Sequence, residues 1–189
     1  MEGEYYKTKE SVQEYITLAA DASGKELIEK LKKQLNPNAI VLEVGSGPGT
    51  DWNILNDSFS VIGSDNSPEF LKHLKTENPF GEFLELDASS LKTDKMFDAI
   101  YSNKVLHHLS DQELKDSIKR QSEILNTNGI ICHSFWRGVS SEVFNGLYVN
   151  YHEKETLKDF FAGYFEIISI ENYNEFDEGD SIILIGRKK

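Results

Sequence analysis

Three glycines at alternate positions, Gly45, Gly47 and Gly49, follow directly on the apolar run Ala39 to Val44 (AIVLEV). That run is short, rich in branched residues and bounded by glycine, as a buried strand is. A plain strand-to-helix turn needs one glycine. Three permit positive φ and remove the side chains that would hold a ligand off the backbone. Asp51 to Leu55 can then be helix. A strand, a bare loop and a helix in that order point to an open α/β sheet, where ligands bind in the crevice beyond the carboxyl ends of the strands.

The rest of the chain supplies such a sheet. Ser11 to Leu35 reads as helix, with Val12, Tyr15, Ile16 and Ala19 on one face and Leu27, Ile28, Leu31 and Leu35 on another. Gly24 divides it in two, and Asn36-Pro37 stops the second piece. Phe59 to Gly63 is a second strand; Pro68 to Lys75 is a helix capped by Ser67. Glu82 to Leu86 and Phe97 to Ser102 are the third and fourth strands. Gln112 to Leu125 carries Leu114, Ile118, Gln121 and Leu125 at helical spacing, and Asn128-Gly129 turns into a fifth strand, Ile130 to Phe135. Alternating strands and helices with short links predict a doubly wound parallel sheet with helices on both faces.

The end of the chain breaks the alternation. After a helix at Glu153 to Phe161, the strands Phe165 to Ile170 and Ser181 to Gly186 have no helix between them. A parallel pair needs a crossover of a dozen or more residues, so this pair is expected to be an antiparallel hairpin. Its connection, Glu171 to Asp180, holds Glu171, Glu175, Asp177, Glu178 and Asp180 with no basic residue, and reads as a solvated turn.

Asp65 ends the second strand, 20 residues after Gly45. A carboxylate there is placed to accept hydrogen bonds from ribose hydroxyls. Two ligand classes suit the loop and this acid. A dinucleotide would set its pyrophosphate on the helix N-terminus, with the spacing G-x-G-x-x-G; here the third glycine, Gly49, comes one residue early. An adenosyl ligand without phosphate would lay an amino-acid tail across the bare backbone.

Composition narrows the partners. The 189 residues suit one domain, and the net charge is -12. Such a surface repels nucleic-acid backbones and anionic lipid, so neither nucleic acid nor membrane is expected as a partner. A single cysteine, Cys132, excludes an internal disulfide and fits a reducing compartment. No apolar run approaches a membrane span, and Met1 to Glu10 lacks the apolar core of a signal peptide. The expectation is a cytoplasmic protein.

The segment Glu43-Val44-Gly45-Ser46-Gly47-Pro48-Gly49 resembles the first motif of class I S-adenosylmethionine-dependent methyltransferases. Ser64 to Glu69 is similar to the second motif, Leu86-Asp87-Ala88 to the third, and Phe97 to Asn103 with Val105 to Leu109 to the fourth. Asn128-Gly129-Ile130 matches the turn into the fifth strand, and the last hairpin matches the family's reversed strand. The resemblance covers most of the chain. It implies a seven-stranded sheet of order 3-2-1-4-5-7-6 with strand 7 antiparallel, and one methyltransferase domain over residues 1–189. In it, residues 1–36 would be an N-terminal helical cap and residues 136–152 a lid.

The resemblance also implies roles. Gly45, Ser46 and Gly47 would lie against the methionine part of S-adenosyl-L-methionine, and Glu43 would help anchor its ammonium. Asp65 would hold the ribose, and Asp87 with the backbone of Ala88 would read the adenine edge. Ser102 and Asn103 would sit by the methionine tail and the methyl. The product would be S-adenosyl-L-homocysteine. The family usually has an aliphatic residue on the adenine after the ribose acid; here it is Asn66.

Methyl transfer from a sulfonium needs proximity and orientation above all, and a general base only for a protonated acceptor. His107 and His108, just after the fourth strand, are the candidate catalytic pair. His133, within the fifth strand, is expected in the core. These histidines lack the spacing of a metal site, so none is expected. The acceptor pocket is expected to involve Tyr6 and Tyr15, with Tyr5 beside them, from the N-terminal side, and Trp136, Arg137 and Tyr148 from the segment after the fifth strand. Trp136 to His152 is expected to be a loop of about 17 residues, long enough to act as a lid. The leading function is methyl transfer to a small-molecule acceptor, by a monomer or homodimer. A nicotinamide-dependent oxidoreductase is disfavoured by the glycine spacing and the terminal hairpin; a noncatalytic cofactor-binding partner subunit is the other alternative.

Overall fold

The structure is a computed structural model, described here for residues 8–18, 23–144 and 146–189, without the side chains of Leu18 and Phe144. Its core is a seven-stranded sheet. Five parallel strands, β1 (Ile40–Val44), β2 (Ser60–Asp65), β3 (Glu82–Glu85), β4 (Phe97–Asn103) and β5 (Leu125–Trp136), are completed by β8 (Phe165–Tyr173) and β9 (Ser181–Lys188) in the order β3-β2-β1-β4-β5-β9-β8. β9 runs antiparallel to both its neighbours. Numbered by the seven sheet strands alone, this is 3-2-1-4-5-7-6, as the resemblance implies.

Both faces of the sheet are covered, which is why β1 is apolar at every position but Glu43 rather than alternating apolar with polar. Val41 packs with Leu27, Ile28 and Leu31 of α2 (Lys25–Lys32), Trp52 and Leu55 of α3 (Thr50–Asn56), and Leu71 and Leu74 of α4 (Pro68–Glu77). Leu42 and Val44 face the other layer, with Leu114 and Ile118 of α5 (Asp111–Ile124) and Leu157 and Phe161 of α6 (Lys154–Phe161). Local signals set the helix starts. The Ser67 hydroxyl caps α4 at Phe70 N, ahead of Pro68. Ser110 and Glu113 form a reciprocal capping box that starts α5 one residue earlier than the periodicity suggests. The N-terminal helix is two helices, α1 (Lys9–Leu18) and α2, as Gly24 predicts; Ala19 and the residues to 22 lie outside the described ones.

Two expectations at the carboxyl edge are corrected. Residues 136–152 are not a loop without structure. They contain an antiparallel ribbon, β6 (Ser141–Phe144) with β7 (Leu147–Asn150), turning at Gly146, whose φ is 79°. The ribbon is tied back to the sheet by Gly138 N to His152 O and His152 N to Trp136 O. The acidic connection is not a solvated turn throughout. β8 continues to Tyr173, and the Asp180 carboxylate accepts the N–H groups of Glu175, Phe176 and Asp177. That folds residues 174–180 into a compact loop, with Glu175 turned inward. The negative charge that marks these residues as solvent-loving is partly spent on their own backbone.

Candidate active site

The glycine loop closes tightly at the end of β1. Gly45 and Gly49 have φ of 71° and 88°, and Gly49 is the left-handed residue that starts α3. Ser46 N donates to Ser64 O at 2.8 Å, and Ser64 N donates to Ser46 Oγ at 3.1 Å, so the loop is pinned to β2. Asp65 extends that pinning: its carboxylate accepts Gly47 N at 3.0 Å and Ser67 N at 2.9 Å. Burial raises its pKa, while the bonds from Ser67 and Gly47 oppose the rise. An ionised carboxylate offers about four acceptor positions, so hydroxyls of a ribose can join these two donors.

Glu43, on β1, is only 2% exposed, and its Oε2 has no hydrogen-bond partner in the structure. Loss of solvent, then the nearby Asp51 and Asp65, push its pKa up to about 8. A buried carboxyl among other acids is a strong seat for a cation.

Asp51, in the first turn of α3, is a functional residue that sequence reasoning missed. Its carboxylate accepts Gly24 N at 2.6 Å, the Tyr101 hydroxyl at 2.7 Å and Asn103 Nδ2 at 3.1 Å. The available signal was an acid two residues past the last glycine; it was passed over because acids are ordinary at helix N-termini. Its partners come from two separate segments, the residue before α2 and the end of β4. Above the same loop, Tyr15 Cε1 lies 3.9 Å from where a Cβ on Gly47 would be, and the Tyr15 ring meets Phe70 edge-on at 5.8 Å. Tyr15 therefore covers the glycine loop, on the cofactor side of the cleft rather than beside Trp136. Tyr5 and Tyr6 lie outside the described residues.

Strand alternation divides β4. Tyr101 and Asn103 point to Asp51, whereas Ser102 is fully buried and its hydroxyl meets His133 Nδ1 at 2.8 Å. The Ser102 side chain is thus turned away from the cleft, contrary to its expected place, and only its backbone stays on the cleft edge. His133 lies in the core; its Nε2 meets Gln121 Oε1, and the Gln121 amide donates to Ser117, which donates to Ala88 O. Burial drives the His133 pKa down to about 3, so the imidazole is neutral. Beyond β3, Asp87 accepts the backbone N–H and the hydroxyl of Ser89, and Asn66 is exposed at the end of β2.

The acceptor side begins at the next residues. His107 is buried, its Nδ1 without a partner, and its ring lies 4.1 Å from that of His108 and 6.4 Å from that of Trp136. Burial first, then His108, Lys104 and His152, hold its pKa well below the usual histidine value. His108 Nδ1 donates to Tyr148 O at 2.7 Å, which fastens the ribbon to the segment after β4, and burial lowers its pKa as well. The Tyr148 side chain is exposed. Arg137 is turned outward, donating to Gly179 O at 3.0 Å and pairing with Glu153 at 3.5 Å. Sequence reasoning also missed Lys104. Its ammonium lies 3.3 Å from the centre of the Trp136 ring and 3.0 Å from Glu175.

Glu43, Gly45, Ser46, Gly47, Asp51, Asp65 and Asn103 thus lie together at the carboxyl ends of β1, β2 and β4. His107, His108 and Trp136 are in ring contact just beyond β4, while Arg137 and the Ser102 hydroxyl bond elsewhere.

Comparison with known proteins agrees with this geometry. A family profile described as a methyltransferase domain matches residues 41–129, from β1 into β5. An uncharacterized methyltransferase of Alkaliphilus oremlandii (strain OhILAs) is 27% identical over 137 residues, 69% of this chain and 62% of that protein; the chain thus spans less than two thirds of this relative. The crystal structure of Burkholderia thailandensis 1,6-didemethyltoxoflavin-N1-methyltransferase, with 1,6-didemethyltoxoflavin and S-adenosylhomocysteine bound, has a TM-score of 0.79 at 18% identity, covering 95% of this chain and 84% of that one. N-methyltransferase NodS from Bradyrhizobium japonicum WM9, in complex with S-adenosylhomocysteine, gives 0.74 at 14% identity, covering 98% and 99%. The domain match over residues 41–129, the curated methyltransferase relatives and the shared sheet order all support the resemblance to class I S-adenosylmethionine-dependent methyltransferases.

Proposed function

We propose that the chain transfers a methyl group from S-adenosyl-L-methionine to a small-molecule acceptor, leaving S-adenosyl-L-homocysteine. The observation that carries this is the unpartnered Glu43 Oε2, buried beside Asp51 and Asp65 at the mouth of the bare glycine loop. That is a seat for the ammonium of an amino-acid tail, which can draw Glu43 into its charged form, and a poor one for a pyrophosphate, which Asp51 and Asp65 would repel. Bound S-adenosylmethionine supplies an activated methyl that needs no metal or further cofactor. Glu43 and Asp51 would hold its ammonium, the Gly45–Gly47 backbone its tail and Asp65 its ribose. Asp87 and Ala88 would meet the adenine, with exposed Asn66 at its rim.

The remaining residues act on the acceptor. Residues 1–36 close the cofactor side through Tyr15 and Gly24, and residues 136–152 form the lid through the β6–β7 ribbon, so that residues 1–189 work as one domain. The lid keeps water from a site where charge disappears during transfer. For an acceptor that enters protonated, His107, neutral and with its Nδ1 unpartnered, would take the proton, with His108 beside it. Of the structural relatives named above, both are N-methyltransferases and one holds 1,6-didemethyltoxoflavin, a small molecule, which supports a small acceptor here. The acidity of the chain supports the same choice over nucleic acid. Its buried single cysteine suits the cytoplasm, and among the described residues no helix is long and apolar enough to cross a membrane.

The test is calorimetric titration with S-adenosylmethionine, S-adenosylhomocysteine and NAD in parallel. Micromolar binding of the first two, about 7 to 9 kcal/mol, is expected. Tighter binding of NAD would overturn the proposal.

A further inference from the structure

Lys104 directly follows Asn103, at the carboxyl end of β4, and its backbone φ of 55° is left-handed. In a residue with a Cβ this conformation is costly, and such outliers cluster at functional sites. The backbone is held there from inside: Lys104 N donates to Ser134 Oγ at 2.9 Å, and Ser134 Oγ donates to Asn103 Oδ1 at 2.6 Å. Asn103 in turn donates to Asp51. Lys104 is thus wired to the cofactor cleft by three hydrogen bonds in sequence.

Its side chain is no solvated lysine. The ammonium donates to Ser181 Oγ at 2.6 Å, pairs with Glu175 at 3.0 Å and lies over Trp136, with the Tyr173 ring 5.2 Å away. Only 12% of the Lys104 side chain and 19% of the Glu175 side chain are exposed. Phe176, 79% exposed, stacks on Trp136 with ring centres 5.7 Å apart and planes 23° apart. A flat, partly wet aromatic surface therefore lies against a desolvated cation. The other cation nearby, Arg137, is spent on Gly179 O and Glu153.

Resting on the methyl-transfer reading above, we propose that Lys104, Trp136 and Phe176 form the acceptor-recognition site, and that the acceptor is a small planar acid bound as its anion. The ring lies on the Phe176–Trp136 surface, and the anionic group takes the place of Glu175 on the Lys104 ammonium. The physical reasons are three. A chain of net charge -12 repels anions at long range, so an acid is held only by a local cation that is poorly screened. A cationic acceptor would meet Lys104 with like charge in the same space. Glu175 sits on the connection between β8 and β9, and its Oε2 accepts both the Lys104 ammonium at 3.0 Å and the Tyr173 hydroxyl at 2.7 Å, so an anion that replaces it gains two donors at one place. Lys104 is fixed at a strand end and cannot follow, and a desolvated ammonium requires a partner when Glu175 leaves.

The test uses three probes on the same 2-hydroxyphenyl ring, 2-hydroxybenzoate, its isostere 2-hydroxybenzamide and the cationic 2-hydroxybenzylamine, titrated calorimetrically with and without saturating S-adenosylhomocysteine. The benzoate is expected to bind at least tenfold more tightly than the other two. Lys104→Met should abolish that preference, Lys104→Arg should keep it, and Glu175→Gln should tighten benzoate binding at least threefold. All three variants should bind S-adenosylhomocysteine as the wild type does. A preference for the amine, the absence of a carboxylate preference, or its survival in Lys104→Met overturns the proposal and leaves Lys104 as a strut for the β8–β9 connection. Loss of S-adenosylhomocysteine binding by the wild type overturns the methyl-transfer reading instead, and the probe series without it still reports on Lys104.

Discussion

Gly24 donates its backbone N–H to the Asp51 carboxylate across 2.6 Å, with the Tyr101 hydroxyl bonded to the same carboxylate. A Cβ on Gly24 would collide with both of those side chains. The contact joins the segment before α2 to the helix that follows the glycine loop. Gly24→Ala is therefore expected to push the N-terminal cap off the cleft. S-adenosylhomocysteine affinity should fall at least tenfold, or about 1.4 kcal/mol, and stability by about 1 to 3 kcal/mol, the cost of leaving a buried group unpaired. Calorimetric titration and urea unfolding measure the two; unchanged affinity would show that the cap is not part of the cofactor site.

Glu43, with its pKa near 8, holds a proton at pH 7 in the ligand-free protein. The ammonium of the cofactor would draw it into its charged form. Binding of S-adenosylhomocysteine at pH 7 should then release about one proton, and the release should vanish well above pH 8. Titration in buffers of different ionisation enthalpy reads this number, and Glu43→Gln should abolish it.

Asp65→Ala should weaken S-adenosylhomocysteine binding by about 1.5 to 3 kcal/mol, the scale of hydrogen bonds to a charged group. Part of that loss would come through the glycine loop, because Gly47 N and Ser67 N lose their acceptor. A sharp fall in stability with affinity intact would make Asp65 a loop brace and no more.

Four histidines, His107, His108, His133 and His152, have their pKa lowered in the fold, burial being the first cause in each. The unfolded chain takes up their protons below about pH 6.5 while the folded chain resists, so stability is full above that pH and falls as the pH drops through it. Glu43 acts in the opposite sense: its raised pKa costs stability as the pH climbs from the ordinary carboxylate range toward 8. Denaturation midpoints across pH 4 to 9 are thus expected to peak between these limits. Glu43→Gln should flatten the alkaline side, and His133→Gln the acid side.

Trp136→Ala should lower turnover much more than cofactor affinity once an acceptor is in hand. The ring touches Lys104, Phe176 and the His107 neighbourhood but none of the cofactor acids. Equal losses in both would return Trp136 to a packing role.

Patterns confined to one segment were legible without a structure. The run AIVLEV, the glycines after it, Asp65 at the next strand end and the helix-less terminal hairpin each state a local backbone preference or a burial period. Together they predict a parallel sheet ended by an antiparallel hairpin; the strand order itself came from the resemblance to the methyltransferase family. Gly45, Gly47 and Asp65 could be read as a candidate ligand site in the same way, because they lie on two consecutive strand–loop units; the role proposed for Glu43 came from the resemblance. The β6–β7 ribbon was missed although Gly146 sits at its turn, because its strands are four residues each and carry polar residues on both faces.

Residues whose meaning depends on distant partners were settled only by the tertiary structure. Asp51 is an ordinary helix-start acid until Gly24, Tyr101 and Asn103 converge on it from 27 to 52 residues away. Ser102 and Asn103 are neighbours in a motif, yet strand alternation sends one to His133 and the other to Asp51. Lys104 and Glu175 look like solvated surface charges, and become a desolvated pair only because β4 ends beside the β8–β9 connection. The sequence by itself determined where backbone and burial must lie, since those follow from local sterics and hydrophobic period. The fold decided which polar groups lose water together, since desolvation and charge pairing depend on three-dimensional neighbours that no spacing along the chain records.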